Sequence, residues 1–147
     1  MPVDDLRKQL APFALPVEAT DWLCCVFDAI QVFDDVADGD PVSRRDLNKC
    51  IWDSFVRMPL NPFYMAHSAT LIPILATMVL KWQGSDTAER AGNADAKSFV
   101  WRAGYYDLVL ITVSLCHGPE AATDVAHHVM SIYGEKLEDY LEEFGNA

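Results

Sequence analysis

Residues 16–41 read Pro16-Val17-Glu18-Ala19-Thr20-Asp21-Trp22-Leu23-Cys24-Cys25-Val26-Phe27-Asp28-Ala29-Ile30-Gln31-Val32-Phe33-Asp34-Asp35-Val36-Ala37-Asp38-Gly39-Asp40-Pro41. Trp22, Val26, Ala29, Ile30, Phe33 and Ala37 recur at spacings of three and four, the period of a helix with an apolar face. Pro16 suits a first helical position, where a missing N–H costs nothing, and Gly39-Asp40-Pro41 is a stop. Cys24, Phe27 and Val32 extend the apolar character almost all round, so this helix is expected in a core. Its far end carries four acids in seven residues: Asp34, Asp35, Asp38 and Asp40.

The same period continues on both sides. A short helix is expected from about Val3 to Leu10, stopped by Pro12. Ser43 caps the next helix with Asp46 three residues on, Leu47, Cys50, Ile51, Phe55 and Met58 form its stripe, and Pro59 is expected to end it. Asn61-Pro62 opens a helix to about Trp82, kinked at Pro73, and Gly84-Ser85-Asp86 is read as a restart into a short charged segment. One long helix is expected from Ala94 to Cys116, passing Phe99, Val100, Ala103, Tyr106, Val109, Leu110 and Val113. Gly118-Pro119 starts another, and Glu135 to Phe144 forms an amphipathic tail. No alternating strand pattern of useful length occurs. The fold expected is all-α, a single-domain bundle of six or seven helices over residues 1–147, with no sheet.

Composition narrows the function classes. The chain has 147 residues, 51% hydrophobic, which is a globular composition. Its net charge of −11 disfavours direct binding to nucleic acid or to an anionic membrane, because both need a basic surface. Arg7-Lys8, Arg44-Arg45 and Arg90 are all interleaved with acids, so no basic stripe remains. The start, Met1-Pro2-Val3-Asp4-Asp5, does not read as a signal peptide. The most apolar runs, 69–80 and 108–116, fall short of the roughly 20 residues that span a bilayer. Cys24, Cys25, Cys50 and Cys116 lack zinc-type spacing and are expected as reduced core residues of a cytoplasmic protein.

The acidic helix end is the sharpest feature. Carboxylates at i, i+1 and i+4 crowd one another and face the negative end of the helix dipole, so they call for water, a cation or a basic partner. Three clustered carboxylates suit a hard cation such as Mg²⁺. A second constellation is Arg102, Tyr105 and Asp107, charges and an aromatic on an otherwise apolar helix, which is expected as a polar pocket or an ion-pair network. His127 and His128 are adjacent and lack the i, i+4 spacing of a chelating pair.

Two resemblances add to this. Asp34-Asp35-Val36-Ala37-Asp38 resembles the DDxxD signature of the all-helical trans-isoprenyl diphosphate synthases. That likeness implies Asp34, Asp35 and Asp38 as Mg²⁺ ligands, with Arg44 and Arg45 holding phosphate. His127, Ser131 and Glu135 resemble the NSE triad of terpene synthases, with His where Asn is usual, and the chain has no second DDxxD. The segments Phe33 to Asp40, Asn61-Pro62-Phe63, Leu80 to Arg90 and Trp101 to Asp107 resemble small uncharacterised proteins of tailed bacteriophages and prophages. The leading expectation is an acidic accessory protein of that type, engaging a basic protein partner or mimicking the charge pattern of DNA. The alternative is a Mg²⁺-dependent protein acting on a diphosphate through Asp34, Asp35 and Asp38.

Overall fold

The computed structural model describes residues 3–145, with side chains from Asp5 onward, so the reading of Met1 and Pro2 lies outside it. Every regular element among these residues is helical and no strand occurs. The helices are α1 (Val3–Leu10), α2 (Val17–Asp38), α3 (Arg44–Trp52), α4 (Pro62–Arg90), α5 (Ala96–Trp101), α6 (Tyr105–His117), α7 (Pro119–Ile132) and α8 (Leu137–Glu143). The contacts group into two compact units, Met1–Ser68 and Ala69–Ala147. Helix α4 runs through both. At 29 residues it is about 44 Å long, more than one small core covers.

In the first unit Leu6, Leu10 and Phe13 close on α2, whose Ala19, Trp22, Leu23, Cys24, Cys25, Val26, Phe27 and Ala29 are all buried. Trp22 stacks on Tyr64 with ring centroids 5.7 Å apart and meets Phe63 at 6.1 Å. The expected stripe of α2 fails at its end: Phe33 is 54% exposed. The eight-residue α1 reaches only the first turns of a helix 22 residues long, so the last turns run past the core. Gly39 ends α2 in the left-handed region at φ 77°, as a C-terminal glycine does. The Ser43 side chain accepts from the Asp46 N–H at 3.0 Å, the expected cap of α3.

Pro59 does not end α3. The helix passes into a π-turn over Asp53–Arg57 and continues through Met58–Leu60 to Asn61. A proline gives no N–H to the preceding turn, and the widened turn just before it accommodates that loss.

In the second unit one expected break is absent, the one expected at Gly92-Asn93 is present, and an unexpected one appears. Helix α4 passes Gly84 without interruption and stops at Gly92, φ 75°. A Cβ on Gly84 would make only an ordinary contact, 3.5 Å from the Trp101 ring, so nothing there interrupts the helix. The expected helix from 94 to 116 instead breaks at 102–104, because the Gly104 backbone abuts α4. A Cβ on Gly104 would lie 3.3 Å from the Met78 Cα. Because α4 is continuous through Pro73 and has no charged residue from Pro62 to Leu80, it is long and apolar enough to cross a bilayer by length and composition, which the shorter sequence runs were not.

Candidate functional site

The acids of α2 and α3 form a cleft in the first unit. Its volume is about 340 Å³, and Asp28, Asp35, Asp46, Lys49 and Asp53 line it. Helical spacing produces it: Asp28 and Asp35 are seven residues apart on α2, and Asp46, Lys49 and Asp53 follow at three and four on α3. Lys49 Nζ donates to Asp28 at 3.2 Å and to Asp53, and Arg57 lies 3.9 Å from Asp53. Asp53 is only 4% exposed at its side chain, so these cations neutralise a buried charge at the first residue of the π-turn. Burial pulls the Lys49 ammonium pKa down, but its hydrogen bonds to Asp53 and Asp28 outweigh that and hold it above the usual lysine range. Four carboxylates thus face one ammonium across an open cleft.

The predicted metal residues divide. Asp35 lines this cleft, half-buried, whereas Asp38 is exposed at the helix end and Asp34 is half-buried outside the cleft lining. Among the described residues no group of three or more His, Cys, Asp or Glu is gathered to hold a metal ion. Arg44 and Arg45 are exposed on the first turn of α3, outside the cleft lining. Asp28, which helical spacing already placed on one face with Asp35, and Asp53, which sequence reasoning did not single out, hold the lysine. The signal available for Asp53 was the run Asp46, Lys49, Asp53 at helical spacing.

The predicted pocket of Arg102, Tyr105 and Asp107 also divides. Asp107 turns to Lys81 at 3.0 Å, and Tyr105 is buried against the edge of Tyr106. Two mainly apolar hollows, about 600 and 380 Å³, share Asp107, Leu110 and Ala126 in their linings. Arg102 instead enters a closed ion-pair network, the other alternative the sequence offered, whose tail partners Glu135, Tyr140 and Phe144 were not foreseen. Its guanidinium lies 3.8 Å from Glu89 and 3.9 Å from Glu135, and it covers the faces of Tyr140 and Phe144 at 5.1 and 5.4 Å. Tyr140 is fully buried. Its hydroxyl donates to Glu89 at 2.9 Å, and the Ser98 hydroxyl lies 2.7 Å from it. Ser85 donates to the same Glu89 oxygen at 3.0 Å. Burial first, then the bond to Glu89, raises the Tyr140 phenol above its usual range, with Ser98 pulling the other way. This network fastens the tail helix and is filled by its own side chains.

The other features expected from the motifs stay apart. Glu135 accepts from Tyr133 at 2.8 Å, while Ser131 bonds the His128 carbonyl, so no triad with His127 forms. The His127 and His128 rings lie 3.8 Å apart and exposed. All four cysteines are free, three of them buried, and burial pushes Cys25 up to about 11. No family model matches the chain, and no curated protein or solved structure matches it.

Proposed function

We propose that the protein is a non-enzymatic, acidic accessory protein of the phage type, whose first unit docks a basic protein partner. The observation that carries this is the pairing of charge with apolar surface on α2 and α3. On the same stretch of chain as the Asp28–Asp35–Asp46–Asp53 cleft, but outside its lining, Phe33 and Val36 of α2, Ile51 and Trp52 of α3 and Phe55 of the π-turn are 54%, 60%, 49%, 62% and 80% exposed. Large exposed apolar and aromatic residues flanking charge mark protein-binding surfaces. A partner with lysines or arginines for the cleft and an apolar ridge for Trp52 and Phe55 complements both. The net charge of −11 would speed the approach of such a partner and repel nucleic acid. The aromatic exposure favours docking over pure mimicry of DNA charge.

The test is a titration with an arginine-rich amphipathic helical peptide, read by tryptophan fluorescence. Binding is expected to weaken as salt rises, and both Asp35→Asn and Phe55→Ala should weaken it. Loss of affinity in neither variant overturns the proposal, as does binding of plain duplex DNA in a mobility shift.

A further inference from the structure

Helix α4 is apolar on two opposite faces, and only one of them is used. Towards the core of the second unit it turns Leu71, Met78 and Ser85, which are 0%, 8% and 2% exposed. Away from that core lie Ala69, Ile72, Ala76, Val79 and Gln83, all exposed, with Ile72 at 51% and Val79 at 44%. Their spacing is three, four, three, four, the repeat of a coiled-coil seam. No charged residue occurs between Pro62 and Leu80. Only 17% of the most apolar 18-residue window of α4 is buried. A helix apolar all round is ordinarily covered all round.

The order of side chains along the seam says what covers it. Small and large alternate: Ala69, Ile72, Ala76, Val79. Turned end for end about a point near residue 74, the pattern is its own complement. Ile72 then meets Ala76 of the second copy, and Val79 meets Ala69, so each large side chain fills the gap left by an alanine. Such reciprocity is what a two-fold interface demands, because the same patch must serve both partners. Its charge depletion also matches the centre of an interface, and it lets two chains of −11 meet without opposing charges along the seam.

A bilayer is the less favoured occupant. Met78 and Leu71 are locked into the second unit, with the Gly104 backbone directly against Met78, and a membrane span would have to give up that packing. We infer that the protein forms an antiparallel homodimer through the Ala69–Ile72–Ala76–Val79 seam of α4.

Light scattering coupled to size exclusion should give about 33 kDa, twice the 16.4 kDa chain. Ala76→Glu should shift the mass to that of one chain while leaving helical circular dichroism unchanged, since position 76 is exposed, and the melting temperature should fall and lose its dependence on protein concentration. Orientation is read from oxidative cross-linking in a Cys116→Ser background. Ala76→Cys should cross-link to its counterpart. Gln83→Cys should not, because the two copies of that position would be about 27 Å apart along the antiparallel axes. A monomeric parent, a dimer that survives Ala76→Glu, or an efficient Gln83→Cys cross-link would each overturn the inference. So would a parent protein that sediments with neutral phosphatidylcholine vesicles through the same seam.

Discussion

The Lys49 cleft of the first unit and the Arg102 network of the second are built from the same chemistry, one cation among carboxylates, yet they are put to opposite uses. Lys49 is half exposed, and its partners Asp28 and Asp53 line an open hollow with Asp35 and Asp46 left over. Arg102 is 14% exposed, with Glu89 at 10%, and is covered by Tyr140 and Phe144. The difference lies in what roofs the charges. Aromatic rings shut water out of the second site and raise the cost of breaking it, whereas in the first only Asp53 is buried, and water reaches Lys49, Asp28 and the surplus acids Asp35 and Asp46.

The comparison predicts unequal mutational costs. Glu89→Ala removes the carboxylate that serves Arg102, Tyr140 and Ser85 together, and should lower stability by about 3 kcal/mol in a denaturant titration. An equal loss from Lys49→Met would erase the distinction between the two sites.

Alkali should act mainly on the tyrosines of the second unit. Burial pushes Tyr106 up to about 12, and burial with the Glu135 bond raises Tyr133 further. A folded-state pKa above the unfolded value means the folded form holds its proton longer. The stabilisation is therefore complete below about pH 10 and is lost as pH rises through the folded pKa. For Tyr106 alone this is about 2–3 kcal/mol. Thermal melts across pH 9 to about 12 should fall steeply, and Tyr106→Phe should flatten the fall. An unchanged slope in that variant would remove Tyr106 as a cause.

Smaller effects sharpen the contrast. Tyr140→Phe should cost about 1–2 kcal/mol, since it strips one donor from Glu89 and leaves Ser98 without its buried partner. Lys49→Met should cost about 1 kcal/mol, because Arg57 still stands near Asp53 and Lys49 is half in water. Asp35→Asn should leave the denaturation midpoint nearly unchanged while weakening the basic partner. Millimolar Mn²⁺ is expected to leave the melting temperature of the parent unmoved, as no three metal-binding side chains are gathered among the described residues. A rise abolished by Asp35→Asn would favour the diphosphate reading over the docking one.

Local signals carried well from the sequence. The helical period, the Ser43 cap and the glycine stops at Gly39 and Gly118 all act over a few residues, so the chain states them directly. Gly84 and Gly104 show where that reading failed. Gly84 was read as a break but sits inside a continuous helix, while Gly104 was read as helix interior but marks a break, where its bare Cα lets the Met78 backbone of α4 approach.

The candidate site divided in the same way. Asp35 and the acidity around it were legible, because charge and spacing are properties of the sequence. The pairing of Lys49 with Asp28 and Asp53 was not, and of the network around Glu89 and Arg102 only its ionic character was, not the closure by Tyr140. Lys49 lies 21 residues from Asp28, and Glu89 lies 51 from Tyr140. Sequence by itself determined that the protein is helical, acidic and apolar enough to build cores. Tertiary structure alone decided which of its charges are roofed and which face water, because desolvation depends on neighbours that only the folded chain brings together.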